Sequence, residues 1–112
     1  MDTPAQRITK EVGSWQGVTS YPHRFGGVEF RCGRVELGHI HGDSFADLPF
    51  PKTTHDALLS DGRAEPHHVL PASGWVTKRI RNEADVDEVI ELFRLNFERV
   101  STRRARPPAS SE

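Results

Sequence analysis

The sequence predicts an α+β domain: an antiparallel sheet of about four or five strands packed on an N-terminal and a C-terminal helix, in the order α-β-β-β-α-β-α. Three observations carry that expectation. Val28, Phe30 and Cys32, then Val35 and Leu37, alternate with polar residues at the two-residue period of half-buried strands. These strand segments follow one another across short Gly-rich turns, as in a meander. At the far end Val86, Ile90, Phe93, Phe97 and Val100 recur at steps of four and three, one continuous helical stripe.

Each element has a local reason. Thr3 and Pro4 open a helix whose apolar face is Ala5, Ile8 and Val12, with Gly13 ending it and Trp15 packing just beyond. Residues 17–27 are turn-rich, with an optional short strand at Val18 to Tyr21 that Pro22 keeps from being central. His23 and Arg24 read as solvated loop residues. Val28 to Cys32 and Val35 onward form a hairpin across Gly33-Arg34, and Gly42-Asp43-Ser44 turns the chain into a third run, Phe45 to Leu48. Pro51 opens a second helix through Leu59, with Gly62 just past its end. A loop punctuated by Pro66, Pro71 and Gly74 leads to a strand at Trp75 to Ile80, where Lys78 breaks the inside/outside pattern and implies an edge strand or a bulge. Asn82 caps the last helix, with Glu83 and Asp85 in its first turn; Val89 and Leu92 widen its stripe.

The chain of 112 residues reads as one domain over 1–100 followed by a disordered Arg/Pro/Ser tail over 101–112. Net charge is -1 with 28% charged residues, so nothing in the overall balance calls for nucleic acid or an anionic membrane. Cys32 is the only cysteine, which excludes an intrachain disulfide and Cys-x-x-Cys chemistry; in a strand it reads as a small buried hydrophobe. No apolar run has membrane-spanning length and no signal-peptide core is present, so a cytoplasmic monomer or weak dimer is expected.

The unusual stretch is Arg34 to Phe50. His39 and His41, two apart, share one face of an extended strand. If the strand is regular, that face is the one begun by Val35 and Leu37; a bulge at Gly38 would swap the faces. His-x-His on a strand can present two nitrogens to one metal ion, with a third ligand drawn from Asp43, Asp47, His67 or His68. His67-His68 sits in the proline-bounded loop before Trp75, from which it can fold back over the sheet. Asp43 reads as a turn residue bonding its own backbone, and Asp47 as a cap for the second helix or a partner of the histidines. Trp75 reads as a core aromatic or a stacking platform. A phosphate loop, a Gly-x-Ser-x-Gly elbow, His-Glu-x-x-His and a calcium loop are all missing.

Three functional expectations follow. The first is a non-catalytic module that binds a small molecule or protein through a pocket of His39, His41, Asp43, Asp47, His67, His68 and Trp75. The second is a small metal-dependent enzyme with His39, His41 and His67 as ligands to zinc, iron, nickel or copper. The third is a nucleic-acid binder using the Arg-rich tail with Arg79 and Arg81, which the net charge disfavours. Simple hydrogen-bonding roles for these histidines remain the plain alternative.

Three segments taken together resemble the luciferase-domain family of small bacterial and fungal proteins: E-L-G-H-I-H-G-D-S-F-A-D-L-P-F-P, L-L-S-D-G-R-A-E-P-H-H-V-L-P-A-S-G-W-V and E-A-D-V-D-E-V-I-E-L-F-R-L-N-F-E-R. The resemblance covers residues 8–100. The family name implies a light-emitting oxidase. Light emission needs an oxidisable chromophore in a dry cavity, and a domain this small would not enclose one unaided, so that activity is not carried over. More remotely, the element order and the late Trp-Val strand are similar to the MmcQ/YjbR-type α+β proteins, which implies a curved antiparallel sheet on helices and DNA binding.

Overall fold

The structure, a computed structural model, describes residues 1–105. Its elements are α1 (Pro4–Gly13), β1 (Val18–His23), β2 (Gly27–Cys32), β3 (Val35–His41), β4 (Phe45–Pro49), α2 (Lys52–Ser60), β5 (Glu65–Pro66), β6 (Trp75–Arg79) and α3 (Glu83–Ala105). A single 3-10 turn, Arg24–Gly26, links β1 to β2. The six strands form one antiparallel sheet in the order β1-β2-β3-β4-β6-β5. The fold is therefore the expected α+β class, with two additions. The optional strand near residue 18 is real and runs to His23; it is an edge strand, where Pro22 costs no ladder bond. The two-residue β5 was not anticipated, and it makes β6 an interior strand rather than an edge. α3 continues to Ala105, into the segment read as tail, and 106–112 lie outside the described residues.

The helices are anchored by their ends. Thr3 and Gln6 form a reciprocal capping box on α1, and the Asp43 carboxylate accepts a bond from the Ala5 N–H at 2.9 Å. Arg7 ties α1 to α3 through Glu83, at 2.8 Å, and Asp87. Asn82 caps α3 at the Asp85 N–H. α1 and α3 cover one face of the sheet. Ile8 and Val12 of α1 and Val86, Val89, Leu92, Phe93 and Val100 of α3 pack there against Phe30, Cys32, Ile40, Ala46, Leu48 and Val76. The Phe30 and Phe93 rings meet edge to face at 5.2 Å. Lys78 belongs to this inner face, opposite Ala46; its stem runs to the rim and its amine reaches Asp85 at 3.4 Å, which resolves its awkward place in the strand pattern.

β3 does not alternate regularly. Phe30 of β2 pairs with Gly38, but the next residue, Arg31, pairs with Glu36, so Leu37 is an extra residue in the ladder. This bulge lets Leu37 and Ile40, an odd and an even position, both enter the core. Gly38 makes it possible: its φ of +146° is a glycine conformation, and a Cβ there would lie 2.7 Å from the Asp47 carbonyl oxygen. The carbonyl that the bulge releases is met by Asn96. This residue of α3 is fully buried within an otherwise apolar face. Its amide donates to the carbonyls of Leu37 and Pro49, both at 2.9 Å, and its oxygen accepts from Arg99. Among the described residues no helix is long and apolar enough to cross a membrane.

Asn96→Leu keeps the branched shape and heavy-atom count and deletes both donors. With two buried carbonyls left unpaired, it is expected to lower unfolding stability by about 2–4 kcal/mol. Urea denaturation with an unchanged m-value measures this; a loss below about 0.5 kcal/mol would mean that the bulge does not depend on Asn96.

Candidate functional site

Because of the bulge, His39 and His41 leave the core face and stand on the opposite, outer face of the sheet. The cross-strand register builds the rest. His39 of β3 lies opposite Asp47 of β4, which lies opposite Thr77 of β6; in the neighbouring row His41 lies opposite Phe45, and Phe45 opposite Arg79. Directly paired residues share a face. β5 then brings the proline-bounded loop back along β6, so His67 and His68 are delivered over the same face.

The centre is the Asp47 carboxylate, 1% exposed. Four imidazoles surround one of its oxygens. The distances to Oδ2 are 3.0 Å from His41 Nε2, 3.4 Å from His68 Nε2, and 3.5 Å from both His39 Nε2 and His67 Nε2. The other oxygen accepts the Thr77 hydroxyl at 2.7 Å. The expected meeting of the central hairpin and the proline-bounded loop is thus what the fold produces. Trp75 joins them: its ring lies 5.4 Å from that of His39 and 6.2 Å from that of His67, on the outer face rather than in the helix-side core.

Two expected placements change. Asp43 is not in the cluster and does not cap its own turn; it is spent on the N-terminus of α1, where helix amides lack partners. His23 is not a solvated loop residue. It ends β1, stacks on His39 with ring centroids 4.2 Å apart, and places Nδ1 3.4 Å from Glu29 Oε1. Gly27, opposite His23 on β2, allows close backbone approach there: a Cβ would lie 2.6 Å from the Ile40 carbonyl oxygen. The sixth histidine, His55, is elsewhere in α2, beside Asp56 at 2.8 Å. Arg79 and Arg81 are engaged with Glu65 and Asp85. Cys32 is buried in the core, as expected of a small hydrophobe.

The rings are not equivalent. His39 Nδ1 lies 2.8 Å from Glu36 Oε2, so Nδ1 carries a proton and Nε2 is the nitrogen aimed at the centre. His67 is fixed the other way. Its Nδ1 accepts from the backbone N–H groups of Val69 and Leu70 at 3.1 and 3.0 Å, which puts the neutral ring's proton on Nε2, facing Asp47. Charge follows the same geometry. Burial pushes His39 down, but the bonds to Asp47 and Glu36 outweigh it and raise its pKa to about 9. Burial, reinforced by the charge of His39, holds His41 below the ordinary value. Burial alone would raise Asp47; bonds from His39 and Thr77 and the field of the other histidines hold it far below the usual carboxylate range. Among the described residues two groups have the ligand atoms to hold a cation: His39, His41 and Asp47, and Asp47, His67 and His68.

The family model described as Luciferase domain matches residues 34–96, more than half of the chain. The chain belongs to the luciferase-domain family. No curated protein and no solved structure matches it. Within this luciferase domain fall Asp47 and the four histidines around it, together with Glu36, Thr77 and Trp75, whereas His23 and Glu29 come from the hairpin that precedes the match. Sequence reasoning missed Thr77, Glu36 and His23. Only the first had a usable signal, a hydroxyl on the same side of its strand as Trp75.

In chelator-treated protein, nitrogen-15 imidazole spectra are expected to show His67 as the Nε2–H tautomer. His39 should remain an imidazolium at neutral pH, losing its proton only near pH 9, because a raised pKa means the charged ring is the favoured one. A His67 proton on Nδ1, or a His39 midpoint near 6.5, would contradict the contacts above.

Proposed function

We propose that this luciferase domain is a small binding module whose ligand is a transition-metal dication, held on the outer face of the sheet by Asp47, His39 and His41 with His68 as the further nitrogen donor. One observation carries the reading. Four ring nitrogens converge on a single carboxylate oxygen, and one such oxygen accepts about two hydrogen bonds, so the site holds more nitrogen than its own carboxylate can use. A cation is the partner that such a surplus fits.

The donor set supports the same conclusion. Imidazole with one carboxylate suits zinc, nickel, copper or iron better than magnesium or calcium, which prefer all-oxygen shells. The supporting bonds are those that orient metal ligands: Glu36 on the far nitrogen of His39, and Thr77 on the far oxygen of Asp47. His67 fits ligation poorly, because its backbone bonds leave the proton on the nitrogen that faces the centre; it serves instead as a donor to Asp47. The name luciferase points towards oxidation of a chromophore. The space beside the histidines is about 70 Å³, well under the roughly 300 Å³ at which small-molecule pockets begin. Chromophore chemistry is therefore not assigned.

Calorimetric titration of chelator-stripped protein with zinc and nickel is expected to give one dication per chain. Asp47→Asn and His41→Ala should each weaken binding by more than about 100-fold, Thr77→Val by roughly tenfold, and His67→Ala by little, with circular dichroism confirming the fold. Wild-type protein that shows no saturable binding of either ion would end the proposal.

A further inference from the structure

Next to the centre lies a depression of about 70 Å³ lined by Phe45, His68, Thr77 and Arg79. Two of these residues touch the Asp47 carboxylate, His68 at Oδ2 and Thr77 at Oδ1, so the depression opens directly onto the proposed metal position. It is also the accessible side: His68 is 39% exposed, against 13% for His39 and His67. Phe45 forms one wall, stacked on His41 at 4.4 Å and edge-on to His68 at 5.1 Å. Arg79 forms the other, with Nε 3.3 Å from Glu65 Oε1.

We propose, resting on the metal reading above, that this depression takes a small anion of carboxylate size, bound between the metal ion and the Arg79 guanidinium. Charge supports an anion. A dication with one carboxylate and neutral imidazoles keeps one positive charge, and Arg79 stands beside it, its own charge offset by Glu65 but its remaining N–H donors open to an anion. A guanidinium has five N–H donors, and the contact with Glu65 occupies one. Volume sets the size. The space is well under the roughly 300 Å³ of ordinary small-molecule pockets, which suits formate, acetate or azide better than an aromatic acid. Phe45 contributes a dry wall, which strengthens the pairing of the anion with both cations.

Cobalt(II) serves as the probe metal, because its visible absorption reports both loading and ligand exchange. The cobalt-loaded protein is titrated with azide, acetate and benzoate. Azide and acetate are expected to shift the cobalt spectrum saturably, and benzoate is not. Arg79→Gln should weaken azide and acetate by roughly tenfold or more while cobalt affinity stays unchanged; Arg79→Lys should restore part of that loss. Glu65→Gln, which frees the guanidinium, should tighten both anions. Arg79→Gln protein that binds azide like the wild type, or benzoate binding as well as acetate, would overturn the anion site while leaving the metal centre standing. Failure of the metal reading looks different: the wild type would then show no bound-cobalt spectrum before any anion is added.

Discussion

The hydrogen bonds from Asn96 to the carbonyls of Leu37 and Pro49 brace the bulge that puts the histidines on the outer side of the sheet. A strand has a side-chain period of two, so a one-residue slip sends every later side chain to the other face. In β3 that slip is built in at Leu37, and it is tolerable only because the carbonyl it removes from the ladder finds a donor in the core. Without it, Leu37, His39 and His41 would share one face. Either the imidazoles would enter the apolar layer under α3, or Leu37 would leave it. Gly38 is the other half of the device: it lets β3 approach β4 and the Phe93 ring, against which a Cβ would stand 3.0 Å away.

The two faces that result obey different physics. The inner one is held by apolar burial, non-directional and shared among many side chains. The outer one is held by charge and hydrogen bonds centred on a buried carboxylate. Burying Asp47 unpaired would be costly. Thr77 on one oxygen and imidazoles on the other offset that cost, and the raised pKa of His39 shows which ring carries the compensating proton in the metal-free protein. A cation at the centre would replace that proton with a larger fixed charge and engage nitrogens that a single oxygen cannot satisfy. On the proposed reading, the metal-free and metal-loaded sites would differ in what neutralises Asp47, not in which residues surround it.

Most of the fold was legible because its signals are local and repeated. The stripe of α3 and the alternation of β2 state their own periods, and the loop bounded by Pro66 and Gly74 could carry His67 and His68 back to the hairpin whatever the details. What stayed hidden were single residues used over long distance. Asn96 sits in an apolar face with a polar side chain, which periodicity treats as noise. Asp43 in a Gly-Asp-Ser turn bonds an amide 38 residues away, a pairing no window along the chain contains. Pro22 disguised the end of β1, and with it His23, because proline argues against a central strand and is silent about an edge. β5 is two residues long and includes a proline, so no strand pattern could reveal it.

The span of the family match, residues 34–96, begins just before the bulge and ends at the residue that clamps it. Both ends of that hydrogen bond, the carboxylate and its four imidazoles are contained in one continuous stretch. α1, β1 and β2 supply something separate: an edge for the sheet, a minority of the apolar layer, and His23 stacked over His39. The residues of the centre are therefore one stretch of the chain, but the bulge that turns them outward is formed against β2, so the N-terminal part completes the frame. His23 is where that part meets the centre: it stacks on His39, stands edge-on to His41 at 5.8 Å, and is tied back to Glu29 of β2 rather than to Asp47. The N-terminal part therefore reaches the centre through ring contacts with the two β3 histidines and not through the carboxylate itself.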